Sequence, residues 1–285
     1  MKREEQQNLD KYYTKSEVAS FCYSSLLETC KSLGLDNIFM VEPSAGSGAF
    51  LQHIKTDFLA FDIAPQNKDI IESNYLQLNL KQYQSLISTS NLIFIGNPPF
   101  GKRGSTALQF LNKCLNEGIA VGFIVPVQFR KWSIQNKVNP NASLVKDIDL
   151  SEDSFLFMNK TYKLRCCFQI WSNQNNDAPN LRLKEKPAIS HPDFEMFQYN
   201  CTPTAEKYFD YDWDFAVPRQ GYLDYNKKIY NKDLCNKKQQ WIFFKAKNKK
   251  VLKKLLSIDF EKLSKNNTGT PGFGKHDVIS EYVKF

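Results

Sequence analysis

A doubly wound α/β domain on a mainly parallel sheet is the fold class that this sequence predicts, and three observations predict it. Short apolar runs alternate with amphipathic stretches through the first half of the chain, which is the pattern of β-α-β units. The runs are unbroken rather than alternating, as strands buried on both faces require. The turn Gly46-Ser47-Gly48 follows the first run and opens an amphipathic stretch, and glycines there let a backbone approach a ligand closely. At 285 residues there is room for one such domain and a small appendage.

Taken in order, Ser16 reads as the N-cap of a helix that runs to Leu33 and is ended by Gly34. Residues 38–41 read as the first strand and 48–54 as the helix after its glycine turn. A second strand covers 58–61, and a third is expected to end at Asn74-Tyr75-Leu76. Residues 92–95 form a later strand, 106–116 the helix after it, and 121–125 another buried strand. Between 155 and 171 lie two further strand-like runs with Asn159-Lys160 as the turn, read as a closing hairpin. From 172 to 192 the composition shifts to Asn, Lys and Pro, the mark of a linker. The acids and aromatics that alternate over 209–215 predict a strand with one polar face. Farther on, Val251, Leu252, Leu255 and Leu256 share one helical face, with Lys249, Lys250, Lys253 and Lys254 opposite. No internal repeat is present.

Composition excludes several classes. Hydrophobic residues make up 42% and aromatics 14%, a globular balance. No run approaches the ~20 apolar residues that span a bilayer. The charged start, Met1-Lys2-Arg3-Glu4-Glu5-Gln6-Gln7, lacks the apolar centre of a signal peptide, so a cytoplasmic protein with no membrane association is expected. Among seven cysteines only Cys166 and Cys167 are neighbours, and no Cys-x-x-Cys pair is matched by a second pair or by His-x-x-x-His. No metal is therefore expected, and the cysteines read as free buried thiols. His53, His191 and His276 lie far apart and are assigned no chemistry. The formal charge of +8 is concentrated: eleven lysines face one acid, Asp233, between Asn226 and Lys254. A local excess of this kind suits a polyanionic partner, because each neutralised phosphate releases condensed counterions.

The segment Val41-Glu42-Pro43-Ser44-Ala45-Gly46-Ser47-Gly48-Ala49-Phe50 carries the first chemistry. It has no third glycine at the dinucleotide spacing, and Glu42 would repel a pyrophosphate. A cationic ligand suits it better. Asp62 ends the next strand, fourteen residues past Gly48, where a carboxylate can accept from both ribose hydroxyls. At Asn74-Tyr75 an amide can pair with a base edge and a ring can lie against it. After the apolar strand at 92–95 comes Asn97-Pro98-Pro99-Phe100; two prolines fix φ and remove backbone donors, so that carbonyls can be held inward.

In this element the sequence resembles the amino-group DNA methyltransferases, whose signature is (Asn/Asp/Ser)-Pro-Pro-(Tyr/Phe/Trp). The resemblance implies a seven-stranded, Rossmann-like methyltransferase fold and S-adenosylmethionine as cofactor, whose sulfonium and amino group are cationic. It implies that the Asn97 side-chain oxygen and the Pro98 carbonyl accept from a target amine, with Pro99 holding the turn and Phe100 stacking on a flipped base. Lys11-Tyr12-Tyr13-Thr14 looks like the family's N-terminal cofactor element. By matching, Tyr12, Thr14, Ser44, Gly46, Gly48 and Ile63 belong to the cofactor site, Glu42 holds the methionine amino end, Asp62 the ribose, and Asn74 with Tyr75 the adenine. The family usually has Asp where Asn74 stands. Phe157 or Phe155 is similar to the residue that sandwiches the base. The motif order resembles the γ-type arrangement, and the similarity covers Asp10 to Trp171.

These observations predict a catalytic domain over 1–172 and a nucleic-acid-binding region over 173–285. The expected activity is methyl transfer to adenine N6 in double-stranded DNA, with Lys102, Arg103, Lys245, Lys247 and Lys249 as phosphate contacts. RNA adenine N6, cytosine N4 and a protein glutamine are the other acceptors, the last disfavoured by the lysine patch. A non-catalytic nucleic-acid-binding subunit is the alternative from another class. The C-terminal region is small for target recognition, so a second subunit stays open.

Overall fold

The apolar runs become buried strands. The computed structural model describes residues 12–87, 91–158, 160–174, 179–221 and 223–285. The charged start, Lys11 and Asn159 lie outside the described residues. The chain divides into two compact units, Met1–Lys184 and Glu185–Phe285, with the division inside the Asn/Lys/Pro-rich segment. Residues 180–183 stay with the first unit because they are tied to it. Leu181 donates its N–H to the Leu144 carbonyl, and the Arg182 guanidinium donates to the carbonyls of Gln135, Val138, Asn139 and Ala142 at 2.7–3.0 Å.

The first unit contains β1 (Tyr13–Thr14), α1 (Ser16–Ser32), β2 (Ile38–Glu42), β3 (Phe58–Asp62), β4 (Ile71–Glu72), β5 (Asn91–Gly96), α2 (Ser105–Glu117), β6 (Ala120–Pro126), α3 (Trp132–Gln135), β7 (Ser143–Asp149), β8 (Phe155–Phe157), β9 (Lys160–Tyr162) and β10 (Cys166–Ser172). Seven strands form one sheet in the order β4-β3-β2-β5-β6-β10-β7. The first five of these run parallel, and β10 lies antiparallel between β6 and β7. Every residue of β6 and β10 is buried, as unbroken apolar runs demand of central strands. α1 rests on the sheet at β6, where Gly122 leaves room: a Cβ there would come within 3.1 Å of Leu26.

Ser16 is the first residue of α1, not its N-cap, which is Lys15, and the third strand ends at Glu72, with Tyr75–Gln77 in a 3-10 turn. Three larger expectations also need correction. Residues 48–54 are not a helix but turns closed by i→i+3 bonds, His53 N to Phe50 O and Ile54 N to Leu51 O. With β3 starting at Phe58, too few residues remain to repay helix nucleation. The closing hairpin is also different. β8 pairs with β1 on one side and β9 on the other in a separate small sheet, while β10 enters the main sheet beside β7. No strand is expected at β7 from sequence, because Ser-Leu-Val-Lys-Asp-Ile-Asp is polar. Its polarity follows from its place at the sheet edge, where Asp147 pairs with Arg130 and Lys146 with Glu28.

The third correction falls in the second unit, made of β11 (Phe194–Tyr199), β12 (Phe215–Gln220), β13 (Gln240–Ala246), α4 (Lys249–Leu256), α5 (Phe260–Ser264) and α6 (Lys275–Tyr282). The acid/aromatic segment is not a strand: Pro203–Asp210 is 3-10 helical, Trp213 caps that turn through Nε1 to the Phe209 carbonyl, and β12 begins only at Phe215. The three strands form an antiparallel sheet in the order β11-β13-β12. Alternation along β13 sends Ile242 and Phe244 into one core with the three helices and Trp241 and Phe243 into another with Phe209. α4 is the amphipathic helix expected from the leucine spacing. Val251 and Leu255 are buried, and the Asn248 side chain caps it by accepting from Val251 N at 3.0 Å. Six cysteines are buried and Cys201 is exposed.

Candidate active site

Parallel strands deliver their last residues to one edge of a sheet, and a crevice opens there where the strand order reverses. Here the reversal lies between β2 and β5. β2 ends in Glu42, β3 in Asp62, and β5 runs into Asn97, and all three line a cavity of about 340 Å³. Tyr12, Thr14, Ser44, Gly46, Ile63, Asn74, Tyr75 and Pro99 also line it. Side chains that are distant in sequence thus meet at one place.

The turn after β2 is shaped by Gly46 and Gly48, at φ 55° and 84°. Gly46 lies under the Tyr13 ring, where a Cβ would stand 3.4 Å from the ring edge. Its N–H donates to Asp62 Oδ2 at 2.8 Å, and Ala64 N donates to Asp62 Oδ1 at 2.8 Å. The Asp62 carboxylate is therefore held rigidly by two backbone amides, with an acceptor site left on each oxygen. Gly48 serves the turn and is not a lining residue: a Cβ there would meet Asn67 Nδ2 at 3.0 Å.

Glu42 is the electrostatic anomaly. It is 2% exposed, and its Oε2 has no hydrogen-bond partner among the described residues. Burial, and then the neighbouring Asp62 charge, push its carboxyl well above the ordinary glutamate range. The Ser44 hydroxyl beside it is likewise unpartnered. A buried polar group without a partner costs about 1–3 kcal/mol, so a ligand that supplies a cation or donors to these groups would relieve them.

Asn97 shows the same pattern with a defined direction. Its Nδ2 donates to the Tyr12 carbonyl at 3.1 Å and to Thr14 Oγ1 at 3.2 Å. Both amide hydrogens are thereby used, and Oδ1 is left buried and unpartnered. Behind the motif, the Phe100 carbonyl accepts from Thr106 N and Ala107 N at the start of α2. Gly101, at φ 66°, admits no side chain, since a Cβ would fall 2.1 Å from Thr106 Oγ1. Pro98 and Phe100 are buried, Phe100 at 9% exposure in the main core, and neither is a lining residue.

At the other end, the Asn74 Oδ1 accepts from Leu76 N at 3.2 Å, which turns the chain back along the cavity. Tyr75 is 1% exposed; its ring lies against Phe61, Phe94 and Phe110 and its hydroxyl donates to Glu117. Tyr75 thus meets the cavity from within the core, and the exposed apolar residue on this side is Ile63, 54% exposed. Tyr13, part of the N-terminal element quoted from the sequence, also lines the cavity, and sequence reasoning missed Ser73, Thr106 and Phe110, which line it too. Phe110 could have been found, because it follows Thr106 by one helical turn.

The small sheet gathers aromatic rings around Tyr12. Tyr12, whose carbonyl holds the Asn97 amide, stacks with Tyr162 at 4.8 Å and meets Phe157 at 5.7 Å. Phe157 is half-buried, whereas Phe155 is fully buried. Lys102 and Arg103 are exposed on the 3-10 turn after the motif.

In the second unit Lys247 and Lys249 are exposed. Lys245 instead pairs with Asp212 at 2.9 Å and Asp214 at 3.4 Å, which raises its pKa. Lys232 and Lys237 pair with Asp210 and Glu206. Acids from the preceding segment therefore offset part of the charge that the sequence counts over 226–254. Among the described residues, no group of histidines, cysteines and carboxylates is arranged to hold a metal, and no helix is long and apolar enough to cross a membrane.

No family model matches the chain, and no curated protein matches it. Solved structures do. The Type IIL restriction-modification enzyme MmeI, solved in complex with DNA, superposes with a TM-score of 0.51 and 10% identity over 97% of this chain and 67% of the MmeI chain. The 23S rRNA methyltransferase ErmE gives 0.40 and 9% over 58% of this chain and 70% of its own. A candidate RNA methyltransferase from Pyrococcus horikoshii gives 0.36 and 15% over 57% and 87%. What is shared with MmeI at this identity is the fold. Together with the seven-stranded, mostly parallel sheet and its strand order, it makes this chain a bearer of the Rossmann-like methyltransferase fold.

Proposed function

We propose that this protein transfers a methyl group from S-adenosylmethionine to an exocyclic amino nitrogen of a nucleic-acid base, with adenine N6 in DNA as the acceptor. The observation that carries the proposal is Asn97, whose amide hydrogens are both engaged while Oδ1 faces no partner. A side chain fixed in this way is an acceptor waiting for a donor, and an exocyclic amine is such a donor.

The lining residues fit the cofactor. Glu42 Oε2 and Ser44 Oγ, buried atoms without a partner among the described residues, suit a cationic amino end, and the Asp62 carboxylate, held by two backbone amides, suits two vicinal hydroxyls. Asn74, Tyr75 and Ile63 border the space left for a flat base. When bound, S-adenosylmethionine supplies a methyl carbon on a positively charged sulfur. Asn97 Oδ1 then accepts from the amine, with the Pro98 carbonyl as the second acceptor, and turns the nitrogen lone pair toward that carbon. The transfer would exchange the carbon–sulfur bond for a nitrogen–carbon bond, with one amine proton released to solvent. Positioning and preorganised acceptors supply the catalysis. Tyr12, Tyr162 and Phe157 offer flat surface for an extruded base, and Phe100 supports the motif turn from the core.

DNA is favoured as the acceptor by the likeness to MmeI, solved with DNA and superposed over nearly the whole chain. Lys102, Arg103, Lys247 and Lys249 are the proposed phosphate contacts. The test is transfer of labelled methyl groups to duplex DNA, single-stranded DNA and RNA, followed by digestion to nucleosides. N6-methyl-2′-deoxyadenosine from duplex DNA is expected. Label appearing only in RNA, or in cytosine, would move the acceptor and leave the chemistry; no label in any of them would remove the proposal.

A further inference from the structure

The cavity walls do not hold themselves. The Asn74–Leu76 loop follows a strand of only two residues, β4, and short 3-10 turns follow it. Among the described residues, no α-helix intervenes between β4 and β5 to brace it. Something else must keep the loop in place, and the contacts point to the C-terminal half of α2.

Tyr75 OH donates to Glu117 Oε2. Glu117 Oε1 accepts from Lys113 Nζ at 2.6 Å. The same Nζ donates to the Leu78 carbonyl at 2.9 Å and lies 5.2 Å from the centre of the Tyr75 ring. The loop is thus gripped on both sides of Leu76 by one lysine and one glutamate. Their side chains are only 21% and 22% exposed, so the pair is screened less than a surface one. At its other end the same helix receives the Phe100 carbonyl on its first N–H groups. α2 therefore spans the cavity from the motif turn to the base loop, a thirteen-residue rod about 20 Å long.

We propose that Lys113 and Glu117 are positioning residues for the adenosine end of the cofactor, acting through Tyr75 and the Leu78 carbonyl to hold the Asn74–Leu76 loop against the cavity. This rests on the reading of the cavity as an adenosyl site. Neither residue touches the cavity itself, since neither lines it.

The test uses the full chain and isothermal titration with two probes, S-adenosylhomocysteine and 5′-methylthioadenosine, which lacks the amino-acid end. Lys113→Met is expected to raise the Kd of both by the same factor, about tenfold, as removing charge-assisted bonds to a loop would do. Lys113→Arg, which keeps a cation within reach of Glu117 and Leu78, should stay near wild type. In turnover, Lys113→Met should raise the KM for cofactor and leave kcat at saturating cofactor and the KM for nucleic acid unchanged. Should Lys113→Met fail to fold, Tyr75→Phe removes a single hydroxyl and should show the same shared shift at about threefold. A folded variant that binds 5′-methylthioadenosine as wild type does would overturn the inference and leave the cofactor site standing. Wild-type protein that binds neither probe would overturn both.

Discussion

The cavity of the first unit and the lysine-rich surface of the second treat polar groups in opposite ways. In the cavity, Glu42 Oε2, Ser44 Oγ and Asn97 Oδ1 are buried atoms without a hydrogen-bond partner among the described residues. On the lysine-rich surface, where water would satisfy every charge, Lys232, Lys237 and Lys245 have nonetheless found acids. Native interiors pair their polar atoms almost without exception, so the unpaired group in the interior is the informative one. A surface charge is cheap to keep and cheap to pair, and counting it along the chain overstates what a partner would meet.

The sharpest way to break this contrast is Asn97→Ala. Labelled-methyl transfer should fall by about 10²–10³, the drop typical of removing one preorganised hydrogen-bonding group, while titration shows cofactor affinity retained. Turnover close to wild type would mean that the unpaired oxygen is a bystander. Asp62→Ala should come next, weakening S-adenosylhomocysteine about tenfold to a hundredfold as its charge-assisted bonds disappear, as read by titration.

Glu42→Gln should be smaller and should separate binding from stability. In the folded protein this carboxyl holds its proton above the ordinary value of 4.5, so the folded chain binds more protons than the unfolded one and loses stability as pH rises from 4.5 through the raised value. The variant removes that pH dependence. At neutral pH its melting temperature without cofactor should exceed that of wild type, and below pH 4.5, where both forms are neutral, the two should coincide. Its affinity for S-adenosylhomocysteine should drop about tenfold, and wild-type affinity should rise with pH as the carboxyl ionises to meet the amino group. Calorimetry in buffers of different ionisation heat would register the released proton.

The smallest effect sharpens the other side of the comparison. Replacing Lys247 and Lys249 by Glu should lower the salt dependence of duplex binding, with the slope of log K against log salt falling by about one for each phosphate no longer neutralised. Lys245→Gln should leave that slope nearly unchanged, because its charge is already met by Asp212 and Asp214. Equal slopes for all three would show that the ion pairs open in the complex.

Local pattern by itself marked β2, β3, β5, β6 and β10 as strands, 16–33, 106–116 and the leucine-spaced α4 as helices, and Glu42, Asp62 and Asn97 as motif positions. Burial on both faces forces unbroken apolar runs, and a strand-end turn leaves its mark in neighbouring residues, so each is written in a short window. What depended on residues far apart was left to the tertiary structure. β7 is polar because it occupies an edge, and the edge exists only once β10 has inserted between β6 and β7. The helix expected at 48–54 was lost to the short path into β3. The segment at 209–215 alternates like a strand, yet Asp212 and Asp214 turn toward Lys245 some thirty residues on, and Asp210 toward Lys232. Which way Asn97 points was likewise decided at a distance, by the Tyr12 carbonyl and the Thr14 hydroxyl more than eighty residues earlier. An amide has two ends that the sequence cannot tell apart, and only the partners that folding brings to one end leave the other free for chemistry.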